Sequence, residues 1–399
     1  MDLDLHQEER TLGEVEPPKR KLKIVERIRN FFANPKKRLI FIGTIGLLVI
    51  AAFGIGLYFM THEARTSDNA NKEAAKVEEQ KFEAPLDGVK TDIDSSNRYP
   101  LAVMVENHTE ARPQSGLEKA SVVYEAIAEG GITRFMAIFG TYETEKVGPV
   151  RSARPYFVDW AHGYNAYYAH VGGNALALDK IIADGILDLD QFKYSSSYWR
   201  DTSRNVSSEH TMYTSTLKLR DQAAKLGYTT SKNFNIYRFK DDPDPTPTPT
   251  SDTTNIAAPT TAATVDIDFS SANYKVQYKY DKATNSYKRS LAGSAHNDAI
   301  SGNQLNPKNV IVMTVKRNAV VTRINEHGYT MDNIGEGTAK IFIDGKEIDG
   351  KWKKSSKESR EIFYDSTGAE IIFNRGQFWI SVIPPEGTVT ATAEATTSN

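Results

Sequence analysis

Twenty-two consecutive residues, Leu39 to Met60 (LIFIGTIGLLVIAAFGIGLYFM), carry no charge, with Thr44 the one aliphatic hydroxyl among them. Wound as an α-helix the run spans roughly 33 Å, which matches a bilayer hydrocarbon layer of about 30 Å. A buried core helix rarely stays apolar on every side for six turns. A cleaved leader would show an apolar stretch of about 7–15 residues and then a small-residue cleavage site, which the following THEARTS does not supply. The expectation is an uncleaved, single-pass signal anchor over 39–60, preceded by a basic tail over 1–38.

The flanks orient the span. Lys19, Arg20, Lys21, Lys23, Arg27, Arg29, Lys36, Lys37 and Arg38 precede it, and Arg65 follows it closely. Positive charge stays on the cytoplasmic side, so the N-terminus is expected inside and the bulk of the chain outside the cytoplasm, in the cell envelope. From Thr61 onward there are 39 basic and 44 acidic residues, a net of −5. That balance makes a nucleic-acid partner improbable, and any anion site must come from a local basic cluster. The chain has no cysteine. Disulfides, thiolate metal sites, cysteine nucleophiles and a lipidated cysteine are thereby excluded, and the tether is expected to be peptide.

Beyond the span, 61–84 is polar and reads as a stem. Globular patterning over 85–240 mixes strands (LAVMVEN, SVVYEAIAE, ITRFMAIFG, AYYAHV) with helices (PYFVDWAHGY, NALALDKIIADG, TSTLKLRDQAAKLG). The stretch 241–264 contains PTPTPT, which favours extended, unpacked chain, and reads as a linker. Over 265–385 short alternating strands dominate, VDIDFS and KVQYKYD first among them. Residues 386–399 read as a disordered tail. The fold class expected is α+β: an N-terminal layered α/β sandwich and a mainly β C-terminal domain behind one transmembrane helix.

One hairpin can be placed from its turn. Gly130-Gly131 fits a two-residue connection, which pairs Glu129 with Ile132, Ile127 with Arg134 and Glu125 with Met136. Glu125, Glu129 and Arg134 would then form one polar face, with Val122, Tyr124, Ala126, Ala128, Phe135, Ala137 and Phe139 on a core face. A solvated salt-bridge cluster explains such a face as well as a functional one. Next, Pro155 suits the first turn of a helix, so Arg151 and Arg154 stand before its positive end, where guanidinium groups and free N–H donors suit phosphate or carboxylate. Gly172 and Gly173 would let an anion approach the backbone, and Asn174 is a fair N-cap for another helix. His170, Arg200, Arg204 and His210 complete a candidate anion-binding set, although a lone Arg or His is more often structural.

No HExxH, GxSxG or phosphate-loop motif occurs, so no catalytic residue is assigned. Ser215-Thr216-Leu217-Lys218 matches S-x-x-K, but without a correctly placed S-D-N or K-T-G. The histidines lack metal-ligand spacing, and neither metal nor cofactor is expected.

The strings RYPLAVMVENHTEARPQSGLEKASVVYEAIAEGGITRFMAIFG, EKVGPVRSARPYFVDWA and AHVGG resemble the N-terminal domain of the YerB-like family of bacterial extracytoplasmic proteins. SGNQLNPKNVIVM and IDGKEIDGKWKKSS resemble its C-terminal domain. The resemblance covers about 90–385. It implies a layered α+β fold, export and envelope association, and no established activity. Family members are commonly lipoproteins, whereas this chain has an apolar helix and no lipidation cysteine. Near His210 the family usually has Pro-His-Asn, and here the residues are Glu209-His210-Thr211.

Two functions are in view. The first is a binding module for an anionic envelope glycopolymer or a cell-wall enzyme. The second is a hydrolase or transferase acting on phosphorylated envelope material, with His170 or His210 as acid/base and the arginines as charge clamp. A deep cleft in which His170 meets a carboxylate such as Asp159 would favour the enzyme, and a shallow basic face the binder. The topology is directly testable: protease added to intact, wall-stripped cells should digest the chain beyond Thr61 and spare a fragment holding the tail and span. Protection of 85–385 would reverse the orientation.

Overall fold

The computed structural model describes residues 27–74, 80–228, 234, 236–243 and 260–393. The first part of the basic tail and the core of the proposed linker, 244–259, lie outside the described residues. The chain divides into two units, Met1–Gln80 and Lys81–Asn399. In the first, helix α1 (Pro35–Ala74) contains the apolar run, and its stretch Arg38–Tyr58 is long and apolar enough to cross a bilayer. The helix also takes in residues 61–74 of the expected stem.

The second unit is built on one sheet of eleven strands. Its N-terminal half supplies β1 (Leu101–Glu106), β2 (Val122–Glu129), β3 (Ile132–Phe139), β4 (Tyr167–His170) and β5 (Leu187–Asp190). The C-terminal half opens with β6 (Thr260–Thr261), β7 (Thr264–Asp268), β8 (Lys275–Asp281) and β9 (Ser286–Leu291). It continues with β10 (Asn309–Thr314), a hairpin of β11 (Arg317–Val321) and β12 (His327–Met331), and β13 (Gly335–Ile343). β14 (Lys346–Lys354), β15 (Ile362–Asp365), β16 (Phe378–Ile383) and β17 (Thr388–Thr392) complete it. The large sheet runs β6-β14-β13-β10-β16-β2-β3-β1-β4-β5, with β15 beside β14.

β16 decides the architecture. It lies between β10 and β2 and runs parallel to both, so the segments on either side of the Pro/Thr-rich stretch share one sheet. The fold mixes helices and strands around this sheet, and its C-terminal half is mainly β, but the halves are not separate layers. The sheet is covered on both sides. Helices α2 (Pro155–Gly163) and α3 (Ala175–Ala183) pack Tyr156, Phe157, Trp160 and Ile181 on one face. The other face meets helix α4 (Thr216–Lys225) through Leu219 and Ala223. It also meets a five-stranded antiparallel sheet of β7, β8, β9, β17 and Ser294–Ala295. β17 falls in the stretch expected to be a disordered tail. Its TVTAT sequence alternates Val389 and Ala391 toward the core, and threonine suits a pleated, half-buried strand.

Burial on both faces explains why β2 reads as nearly continuous apolar sequence. The hairpin register differs from the expectation. Glu129 does face Ile132, but a bulge at Ala128 shifts the rest, so Ile127 faces Thr133, Ala126 faces Arg134 and Glu125 faces Phe135. A one-residue shift turns side chains to the opposite face. Arg134 therefore stays with Glu129, while Glu125 enters the core on the other side, and the three-residue polar face does not form. The expected core face splits likewise, Val122, Tyr124 and Ala126 packing on one side and Phe135, Ala137 and Phe139 on the other.

In that second core Glu125 meets Arg289 of β9, both fully buried. Arg289 donates from Nη2 to Glu125 Oε2 at 2.6 Å and lies over the Trp379 ring at 4.3 Å. From its other arm a chain of bonds returns to the same carboxylate. Arg289 Nη1 donates to His296 Nδ1 (3.1 Å), and His296 Nε2 to Gln114 Oε1 (2.8 Å). Gln114 Nε2 donates to Asn107 Oδ1 (3.0 Å), Asn107 Nδ2 to Thr133 Oγ1 (2.7 Å), and Thr133 Oγ1 to Glu125 Oε1 (2.9 Å). Arginine can only donate and an ionised carboxylate can only accept, so every direction in the ring follows, including the neutral tautomer of His296 with its proton on Nε2.

Burial, then the charges of Arg289 and Arg112, hold the His296 imidazole well below its ordinary range. The unfolded chain therefore binds a proton below pH 6.5 that the folded chain refuses, and stability falls as pH drops through that value. The component from this one residue approaches about 1.4 kcal/mol per pH unit. Unfolding measured between pH 7.5 and 5 should show a shallower slope in His296→Gln than in the parent; identical slopes would mean that the folded ring takes up the proton.

Candidate functional sites on the folded unit

The end of β1 gathers the first cluster. The segment 147–151 threads between β1 and the strand Met212–Thr214: Glu106 N–H donates to Pro149 O (2.8 Å), Arg151 N–H to Met104 O (3.0 Å) and Val150 N–H to Met212 O (2.6 Å). Gly148 allows this approach, since a Cβ there would come within 2.8 Å of Val150 N and 2.9 Å of Met212 O. Glu106, Arg151 and His210 are thereby adjacent. Arg151 Nε lies 3.0 Å from Glu106 Oε1 and its Nη2 3.4 Å from Glu209 Oε2. His210 Nδ1 lies 2.9 Å from Glu106 Oε2, and its Nε2 3.2 Å from Glu110 Oε2 and 3.7 Å from Glu209 Oε1. His108 stacks on the His210 ring at 4.7 Å with the planes 4° apart.

Arg204 holds this cluster together through backbone. It donates to the carbonyls of Ala111 (3.2 Å), Glu110 (2.9 Å), Arg112 (3.1 Å) and His210 (3.4 Å), and to Tyr213 Oη (2.7 Å). Arg200 is exposed and bonds Ser208 O. Arg151, Arg204 and His210 thus stand in one cluster, with Arg200 reaching it only through the Ser208 carbonyl, and three carboxylates stand among them. Glu106, His108 and Glu110 are not among the sequence-derived candidates, and Glu209 appears there only as the neighbour of His210. The tripeptide His108-Thr109-Glu110 at a strand end, and Glu209 beside His210, were the available signals.

A second cluster surrounds Glu129. Arg154 caps α2 in extended conformation and ion-pairs with Glu129, which also meets Arg134 at 3.4 Å. Burial pushes the Glu129 carboxyl up, but the Arg154 bond and the charges of Arg134 and Arg151 outweigh it and hold it below its ordinary value. Burial, then the charge of Arg154, brings the Arg134 guanidinium down to about 10. Glu129 and Gly130 edge a groove of about 320 Å³ walled by Val321, His327 and Tyr329. On the far side of the turn a second groove, about 400 Å³, is lined by Gly131, Ser270, Arg317 and the same Tyr329. Arg317 lies over the Tyr329 ring at 4.4 Å.

The strand–GG–helix turn is structural. His170 is fully buried, with Nδ1 2.7 Å from Gly172 O and Nε2 2.9 Å from Asp188 Oδ1. Both ring nitrogens are thus occupied by acceptors of the protein itself. The carboxylate beside His170 is therefore Asp188; Asp159 instead lies 2.8 Å from Lys180. The Gly172 N–H, expected to be open to an anion, donates to Asp190 Oδ1 (2.9 Å), and Gly173 pairs with Ala153. Asn174 does cap α3, accepting from Ala177 N–H at 2.9 Å. Ser215 of the S-x-x-K string caps α4, accepting from Lys218 N–H.

A fold of this kind, one mixed sheet shared by two sequence halves and faced by helices and a second sheet, is that of an identified family. Residues 86–229 match the N-terminal domain and 265–380 the C-terminal domain of DUF3048, a "Protein of unknown function". The chain is 33% identical over 321 residues to the Bacillus subtilis (strain 168) protein "Putative lipoprotein YerB", covering 78% of this chain and 89% of that one. The crystal structure of YerB from Bacillus subtilis superposes with a TM-score of 0.67 at 30% identity, over 78% of this chain and all of that one. The chain belongs to this YerB-like family.

The ion pairs predict how the arginines respond to substitution. Replacing Arg151 and Arg154 together by Gln strips Glu106 and Glu129 of their closest cations. Unfolding in guanidinium should show a loss of ~1–3 kcal/mol. Unchanged stability would mean that these side chains are held in reserve for a ligand.

Proposed function

We propose that this chain is a membrane-anchored extracytoplasmic protein whose folded unit binds an anionic glycopolymer of the cell envelope. The observation that carries the reading is the charge balance beside the grooves: Arg134 and Arg154 share the single carboxylate of Glu129. Arg317 adds a third guanidinium, and its nearest carboxylate, Glu386, is 3.9 Å away. Two grooves share Tyr329 around the Gly130-Gly131 turn, with that tyrosine for sugar rings, Arg317 lining the second groove for phosphate or carboxylate groups, and the Arg134–Glu129–Arg154 cluster beside them. The hydrolase alternative loses its first acid/base, because His170 has no exposed surface. Around His210 the interleaved carboxylates suit a polyanion poorly.

The anchor belongs to the same reading. The relative YerB is named as a lipoprotein, and the apolar run of α1 would do for this chain what a lipid does there, with the basic N-terminal tail inside and the folded unit outside.

Full-length protein in detergent, applied to phosphate-bearing wall polymer and to the same polymer stripped of phosphate, tests the proposal. Binding should require the phosphate, and Arg317→Gln should weaken it about 10- to 100-fold, the worth of one charge-assisted contact. Melting should hardly move, since the Glu386 contact is long and exposed. Equal binding to stripped polymer would sink the reading, and retention of a cell-wall enzyme without polymer would transfer it to a protein partner.

A further inference from the structure

His108, Glu110 and His210 each present one ligand atom, and the three atoms lie within 4.8 Å of one another. We infer that they form a binding site for a borderline divalent transition-metal ion, with zinc the natural probe. The site stands apart from the grooves and does not depend on the polymer reading.

Its construction goes beyond a chance salt bridge. His210, the buried member, has its Nδ1 against Glu106 Oε2 at 2.9 Å, and Glu106 is itself held by Arg151 Nε at 3.0 Å. A carboxylate on the far nitrogen is the arrangement that orients a metal-binding imidazole and raises its basicity. It leaves Nε2 facing Glu110 Oε2 at 3.2 Å and Glu209 Oε1 at 3.7 Å. Three carboxylates gather around this one ring, and Arg151 offsets their negative charge only in part, so that a dication would neutralise the rest. Arg204, bonded to the carbonyls of both Glu110 and His210, fixes the two loops that carry the ligands.

Donors about 2.0–2.2 Å from zinc stand roughly 3.3–3.5 Å apart in a tetrahedron, so the cluster must close by up to about 1.5 Å. The members free to move are the outer ones, exposed Glu110 and half-buried His108, whose Nδ1 accepts only a long 3.3 Å bond from Glu110 N–H. Glu209, 56% exposed, or water completes the coordination. Two imidazoles and a carboxylate select zinc-like ions over magnesium or calcium, which prefer oxygen alone.

Full-length protein, purified in detergent without a histidine tag and stripped by chelator, is titrated with zinc against a chromophoric competitor. One zinc per chain should bind, undisturbed by millimolar magnesium. His108→Asn and Glu110→Gln should each weaken binding about 10-fold or more, and Glu106→Gln about 10- to 100-fold through the orientation of His210. His210 is left intact, and circular dichroism of the metal-free surface variants should match the parent, so that lost binding is not lost fold. Stoichiometry under about half a zinc per chain, effective competition by magnesium, or parental affinity in both His108→Asn and Glu110→Gln would overturn the assignment.

Discussion

A guanidinium that can only donate and a carboxylate that can only accept, Arg289 and Glu125, sit at full burial between the large sheet and the five-stranded sheet. Charges taken this far from water are tolerated only when paired and well hydrogen-bonded. Here the second route from Arg289 to Glu125, through His296, Gln114, Asn107 and Thr133, occupies Arg289 Nη1 and Glu125 Oε1 and crosses from β9 to the loop after β1 and to β3, while the buried Arg289 Nε has no hydrogen-bond partner among the described residues. Trp379 of β16 donates to the same carboxylate at 3.1 Å. One ring of bonds thus ties together the strands from both halves of the sequence. The register of β2 and β3 must be right for it to close, since an unshifted hairpin would place Glu125 on the wrong face.

The same ring reaches the surface clusters. Gln114 Nε2 also donates to the Glu106 carbonyl at 3.0 Å, and Arg112 Nε donates to Asn107 Oδ1 at 3.0 Å. The loop carrying Glu106, His108 and Glu110 is therefore braced from the core side by the ring and from the outer side by Arg204. Such support on both sides is what a precise cluster of side chains requires. Arg112, Arg151 and Arg204 serve this bracing more than they serve as open charge, and the uncompensated charge lies at Glu129, where two guanidinium groups share one carboxylate.

Much was legible from residue order alone. The apolar run, the helices over 155–163, 175–183 and 216–225, the cap at Asn174 and the strands on either side of Gly130-Gly131 follow from local periodicity and turn chemistry. β17 was misread because Thr-rich sequence resembles low-complexity tail until a partner strand is present for Val389 and Ala391 to pack beneath. β5 and the short pair Tyr198–Arg200 and Met212–Thr214 are too brief for a period to show. Among the candidate residues, His170 and Arg204 were singled out for chemistry that backbone acceptors and Asp188 already absorb.

What the sequence by itself determined is whatever depends on neighbours a few residues away: the apolar run, its flanking charge, the identity of most elements and the family. Only the tertiary structure decided that β16 enters between β10 and β2 and makes one sheet of two halves, because strand pairing across more than two hundred residues leaves no local trace. It also decided the bulge at Ala128, which reassigns Glu125 from a surface face to the core. And it decided which carboxylate meets which cation: Glu106 lies about a hundred residues from His210, and Glu125 farther still from Arg289. Charge pairing depends on distance in space and on exclusion of water, and neither is written in the order of residues.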